Sequence, residues 1–276
     1  MGTWEWPLII FTVLGEAAIG ILLALWWLDR TPLDSALYKK ATLTSGVLLA
    51  LALLASLAHL GHPEAAYRAV SHLSSSWLSR EILFFLLTAA AWLYLFFQIR
   101  RPNGNRRLAA GIAGLLGLLG ILSSAMIYVL PRVPAWDSAQ TPLFFLLTTG
   151  ILGALTLLLL GQKSMTTNQI TKLLYWSASC IAASVLTYIL YLSMLNANGN
   201  EGMATVQFLS INPLFWIRVV TNWLAPIILL YPIIKNKKAA NSNLILTILV
   251  VSGIGEFLGR ALFYLSAVGI HITALK

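Results

Sequence analysis

The sequence predicts an all-α integral membrane protein of about eight transmembrane helices. It is expected to form a single polytopic membrane domain over residues 1–276, with both termini outside and the helices packed as two four-helix bundles. Three observations carry this expectation. Hydrophobic residues make up 59% of the chain and charged residues 10%, with a mean hydropathy of +0.83; a soluble domain carries about 25% charged residues. The apolar runs are long and continuous, as a helix needs in order to cross about 30 Å of hydrocarbon. A β-barrel would instead show short segments of alternating polarity. Finally, basic residues concentrate in alternate connections, the pattern that sets helix orientation in a bilayer.

The spans fall at roughly 6–28, 41–60, 81–99, 108–130, 142–162, 173–195, 214–234 and 244–268. The first, in WEWPLIIFTVLGEAAIG, has no basic leader region and no cleavage site, and reads as a retained helix rather than a signal peptide. The second is the run Ala41 to Ala58, which ends at His59. The third starts at Glu81 and continues through Ile82 to Gln98. The fourth repeats glycine at 111, 114, 117 and 120, and the eighth carries Gly255 and Gly259. Small residues of this kind let helix backbones approach closely in lipid. The sixth contains Cys180, the single cysteine, which reads as a small core residue. The seventh carries Arg218, and the eighth carries Glu256 and Arg260.

With the N-terminus outside, the inner connections hold 12 of the 18 Lys and Arg residues, among them Arg30, Arg106, Arg107, Lys163 and Lys172. The outer segments hold Arg68, Arg80, Arg132 and Lys276, and Arg218 and Arg260 fall within spans. The net charge of +9 is therefore read as loop charge facing the cytoplasm, not as a nucleic-acid surface. The expected location is the inner (cytoplasmic) membrane, with lipid as a partner. One cysteine excludes an internal disulfide and a cysteine-held iron–sulfur centre, and there is no C-x-x-C-H for attached haem. Of four histidines only His59 sits at a span end, so no bis-histidine haem and no metal site are expected.

The stretch HLGHPEAAYRAVSHLSSSWLSRE, from His59 to Glu81, is a long polar passage that also carries proton chemistry. Both of its end residues lie at the outer mouths of neighbouring helices. Helix rise of about 1.5 Å per residue gives the depth of the other polar side chains. His59, Glu81, Tyr128, Arg218 and Arg260 gather in the outer half, with Glu16 and Glu256 near the midplane. Ionisable groups inside a membrane are costly and are usually paired or functional. Glu256 and Arg260 stand four residues apart with the acid first, so they either neutralise each other or join a site. Glu16 is either a neutral structural carboxyl or part of a proton path. His62, His72 and His271 read as surface residues. Trp4, Trp6, Trp77 and Trp136 read as an aromatic belt at the outer interface, with a ring-binding pocket as the lesser alternative for Trp77.

Several stretches resemble a known family. HLGHPEAAYRAVSHLSSSWLSREI, the opening WEWPLIIFTVLGE, the central SSAMIYVLPRVPAWDSAQTPLFFL and the closing GEFLGRALFY are similar to matching stretches of the dimethyl sulfoxide reductase anchor subunits, and they occur in the family's order. These subunits sit within the wider NrfD and polysulfide reductase membrane-subunit superfamily. The resemblance implies eight helices, no bound haem or metal, and a subunit that oxidises menaquinol. Electrons would pass to an iron–sulfur subunit and on to a molybdopterin catalytic subunit. It also implies that His59 and Glu81 act on quinol, and that Glu256 and Arg260 fill the family's G-E-x-x-G-R pattern. Two positions depart from the family: Ala65 stands where an arginine is expected, leaving Arg68 as the nearest substitute, and Glu16 stands where glutamine is expected.

Quinol oxidation releases two electrons and two protons. Histidine can both donate and accept hydrogen bonds near neutral pH, and Glu81 can pass a proton on as a general base. The expected site comprises His59 and Glu81 as reacting groups, with Arg68, Tyr128, Arg218, Glu256 and Arg260 around the quinol. Partner subunits would dock on the connections 61–80, 131–141 and 196–213. Three alternatives remain open: a sister reductase for polysulfide, tetrathionate or nitrite, a proton-coupled transporter, and a purely structural anchor.

Overall fold

A computed structural model describes residues 5–59, 72–236 and 241–266, without the side chains of His59 and Asn236. The described residues contain eight helices long and apolar enough to cross a membrane. These are α1 (Trp6–Leu28), α2 (Ser35–His59), α3 (Trp77–Gln98), α4 (Arg106–Ile127), α5 (Gln140–Gly161), α6 (Thr167–Ala197), the composite seventh span Pro213–Lys235, and α10 (Ser242–Leu265). Between the sixth and seventh spans lies a shorter helix, α7 (Gly199–Ile211). The seventh span is built from α8 (Pro213–Arg218), a π-helical segment (Val219–Leu224) and α9 (Ala225–Asn236).

Local signals explain where these helices begin. Amide groups in the first turn lack partners inside the helix and are met by short polar side chains. Ser76 Oγ accepts from Ser79 N at 3.3 Å at the start of α3. Asn105 Oδ1 accepts from Leu108 N at 3.2 Å at the start of α4. Thr166 and Gln169 form a reciprocal capping box on α6, and Gln169 Nε2 also donates to Thr31 O at 3.2 Å, tying that helix to the α1–α2 turn. At 31 residues, α6 is about 46 Å long, more than the hydrocarbon needs. It hands over to α7 at Gly199, whose φ of +74° favours glycine. The connection 196–213, read from sequence as polar loop, is therefore mostly helical.

α1 is the central element, packing on α2, α4, α5 and α10. The α4 glycines supply one of these contacts. Carbon atoms added at Gly111, Gly114 and Gly117 would meet Trp26, Leu23 and Ile19 in turn, an antiparallel register of α4 on α1. The tightest crossing is α1 on α5. A Cβ at Gly20 would collide with Thr149 O and lie 2.8 Å from Gly153 Cα, so only glycine permits that approach. Helices α1–α4 and the set α5, α6, the seventh span and α10 thus meet along α1 and α5.

A latch ties the basic end of the bundle. Arg106 donates to both carboxylate oxygens of Asp29, at 3.1 and 3.0 Å, and to Leu33 O at 2.7 Å. Its guanidinium lies over the Tyr38 ring at 4.4 Å, while Tyr38 Oη donates to Arg106 O at 3.0 Å. A planar guanidinium suits this bidentate geometry, which lysine would not reproduce.

Candidate functional site

Two groups of polar side chains lie at and below the other end of the bundle. The first surrounds Glu81, in the second turn of α3, which is 7% exposed. The Ser124 hydroxyl on α4 stands next to its carboxyl. Tyr128, at the end of α4, is buried within an aromatic cluster of Trp136, Phe145, Phe263 and Tyr264, with ring centroids 5.3 to 6.1 Å away. Trp136 Nε1 donates to Phe263 O at 2.8 Å. This corrects the reading of Trp136 as a belt residue: it is half-buried and bonded to α10, because its indole N–H finds a backbone carbonyl inside the bundle. Trp77 is exposed, with the Arg80 guanidinium 4.2 Å over its ring.

The second group is charged and deeply buried. Arg260 Nη2 donates to Glu16 Oε1 at 2.5 Å, with side-chain exposures of 4% and 2%. Arg260 therefore pairs with α1, and of the two alternatives the spacing left open, mutual neutralisation with Glu256 one turn earlier is not the one its ion pair takes. The reason is geometric: the tight α1–α5 crossing draws Glu16 into the space that Arg260 faces. Glu256 instead accepts from Thr148 Oγ1 on α5 at 2.7 Å. Arg218 lies 4.3 Å over the Tyr188 ring and close to Glu256. Two acids and two arginines thus share one buried volume, where mutual attraction offsets part of a large desolvation cost.

The π-helical turn contributes as well. One extra residue per turn swings Asn222 and Trp223 inward, and such turns often occur at functional positions. Gly255 and Gly259 on α10 make room for it, since a Cβ at Gly259 would lie 2.7 Å from Arg218 Nε. A cavity of about 30 Å³ is bordered by Thr148, Tyr188, Arg218, Glu256, Gly259 and Arg260, among others. It has room for about two water molecules. Arg218 Nε and Arg260 Nε make no hydrogen bond to the described residues, so they are free to bond such waters.

Tyr264 connects the two groups. Its hydroxyl donates to Tyr128 Oη at 3.3 Å, and on its other side lie Thr12 and Glu16. The predicted residues Glu81, Tyr128, Arg218, Glu256 and Arg260, together with Glu16, therefore form one continuous polar and aromatic line. Arg68, His62, His271, Trp4 and the His59 side chain lie outside the described residues. Sequence reasoning missed Thr148, Asn222, Ser124, Tyr188 and Tyr264. Asn222 left the clearest signal, a lone amide in an apolar run. Tyr264 is four residues beyond Arg260 and shares its helix face.

Fold and site together define a multi-pass helical membrane protein with a buried ionic network toward one end. The sequence model of the DMSO reductase anchor subunit family (DmsC) matches residues 1–265, and the protein belongs to that family. It is 27% identical over 280 residues to the YnfH chain of anaerobic dimethyl sulfoxide reductase from Escherichia coli (strain K12), covering 99% of this sequence and 96% of the relative. It is also 27% identical to the C subunits of anaerobic dimethyl sulfoxide reductase from Haemophilus influenzae, over 283 residues, and from Escherichia coli, over 295 residues. Both matches cover 99% of this sequence and 96% of the relative.

Proposed function

We propose that this protein anchors a dimethyl sulfoxide reductase-type complex in the inner membrane and oxidises menaquinol for it. The family and the relatives' names support the anchor role. The observation that carries the quinol role is the burial of Glu81 at a helix mouth, in line with Tyr128, Tyr264 and the Glu16–Arg260 pair. The cavity of about 30 Å³ is too small for a quinol ring. The ring is therefore assigned to the outer ends of α2, α3 and α4, between His59 and Glu81, with Tyr128 below it.

There His59 and Glu81 bond the two ring hydroxyls and accept the two protons as quinol becomes quinone. The two electrons leave one at a time for an iron–sulfur partner, whose clusters each carry a single electron, and reach the molybdopterin subunit through it. A carboxylate kept out of water but next to hydroxyls suits a general base. The buried arginines fix the positive potential below the ring, and Tyr128 and Tyr264, hydrogen-bonded to each other, lie between Glu81 and Glu16 where waters could complete a proton route. The basic connections at the opposite end support the reading that this end faces the outer side of the membrane. The partner would cover α7 and the 131–139 turn.

A transporter would need an ionisable path to both faces. On the basic side of Glu256, the buried residues of α10 are Gly255, Ser252, Ile248 and Ile245, which carry no charge onward. The test is titration of a fluorescent quinone-site inhibitor into membranes holding the complex, with His59→Ala and Glu81→Gln beside it. Each variant is expected to assemble, to lose inhibitor binding and to lose quinol oxidation. A Glu81→Gln complex that still binds inhibitor and turns over normally would refute the assignment.

A further inference from the structure

The basic end of the bundle holds a second cavity that the quinol reading does not use. It measures about 360 Å³, within the range of small-molecule sites. Gly20 and Ala24 of α1 and Ala154 of α5 form its floor, and Trp26, Trp27 and Trp176 frame it toward the basic end. The floor is part of the buried core: Gly20, Ala24 and Ala154 are all buried, so this cleft is deeper than the lipid-facing surface around it. Its depth comes from small side chains. Ala24 and Ala154 are short enough to leave the trough open, above the tight α1–α5 crossing at Gly20. The Trp27 and Trp176 rings stand 5.7 Å apart at its rim.

The rim is cationic. Trp26 is shared with a smaller adjoining cavity of about 280 Å³ that is also lined by Asn105 and Arg107. Arg107 Nε donates to Trp26 O at 3.3 Å, which fixes the guanidinium at the cleft's mouth. On α6, the exposed Lys172 sits four residues before Trp176, on the same helix face and one turn nearer the basic end. Among the described residues, no carboxylate lines either cavity. An apolar trough that reaches the membrane interior, closed by interfacial tryptophans and two cations, matches the chemistry of an anionic phospholipid. The acyl chain would lie in the trough, with the phosphate directed toward the basic end, where Arg107 and Lys172 stand. Tryptophan rings favour that depth because they carry an apolar body and an N–H.

We infer that the cleft between α1, α4, α5 and α6 is a specific site for an anionic phospholipid, held by Arg107 and Lys172 at its headgroup. The two cations give it preference over zwitterionic lipid, and the trough distinguishes it from the annular shell. The lipid fills the seam where the two helix sets meet at α1 and α5.

The test uses the purified complex, exchanged into detergent containing equimolar phosphatidylglycerol and phosphatidylcholine, with retained lipid read by native mass spectrometry. The wild type is expected to keep one phosphatidylglycerol with roughly thirtyfold preference, the scale expected for two interfacial cations. R107Q/K172Q should lose the preference. Leu118→Trp, which fills the trough from its lipid-facing wall, should lose the tightly held lipid while the complex still assembles. Equal retention of the two lipids by the wild type would overturn the proposal, as would retention unchanged in both variants or a retained quinone in place of phospholipid. Quinol oxidation measured on the same samples keeps this outcome separate from that of the quinol site, whose residues are untouched.

Discussion

Removing Glu16 should destabilise the protein strongly, and removing its partner at the same time should restore it. Arg260 Nη2 meets Glu16 Oε1 at 2.5 Å, with both side chains almost wholly shielded. Around them lie one more acid, Glu256, and one more arginine, Arg218. With all four ionised the group is neutral; Glu16→Ala leaves one uncompensated positive charge in a medium that solvates it poorly. Breaking a buried pair from one side costs about 3–5 kcal/mol, whereas replacing both partners by apolar groups is often neutral or stabilising. Arg260→Met should show a similar loss, since it also gives up the guanidinium 3.5 Å over the Phe145 ring. The double variant Glu16→Leu/Arg260→Met should return most of the way. The single cysteine provides the assay. Cys180 is buried, so a thiol reagent labels it through opening of the protein, purified in a mild detergent. About 3 kcal/mol corresponds to labelling faster by roughly 100-fold where labelling follows the open population. Single variants that speed labelling less than about fivefold, or a double variant as fast as the singles, would refute a structural ion pair.

Three further outcomes follow from the glycine contacts. Gly20→Val should cost about 3 kcal/mol or more, because its added atoms would meet the backbone of Thr149 and Gly153 and force α1 from α5; the Cys180 assay reads it. Gly253→Ala is the control, with nothing within 4 Å of the new Cβ, and should be neutral or stabilising by up to about 1 kcal/mol. Gly259→Ala should push the buried Arg218 guanidinium from its place over Tyr188, costing about 1–3 kcal/mol. Quinol oxidation by that complex should also fall, as stopped-flow kinetics would show.

Membrane class and span number were legible in the sequence because they depend on local properties; the starts of α2, α3 and α6, at Ser35, Trp77 and Thr167, lie before the apolar runs that marked the expected spans. Hydrocarbon demands a continuous apolar run, and capping side chains act within three residues, so Ser76, Asn105 and Thr166 mark their helices without tertiary help. Helix rise is fixed, so the sequence set Glu16 and Glu256 at a similar level along their helices, and the fold brings them together with Arg218 and Arg260. Pairing was not legible. Arg260 and Glu16 are 244 residues apart, and the nearer acid on the same helix offered a local partner that the structure does not use. Nor did sequence show the π-helical turn that turns Asn222 inward, or that 196–213 folds as a helix. Those features depend on how closely α1 approaches α5 and α10 approaches the seventh span, at Gly20, Gly153, Gly255 and Gly259. A run of apolar letters fixes that a helix crosses the membrane; which neighbour each face meets is decided by packing between helices distant in the sequence.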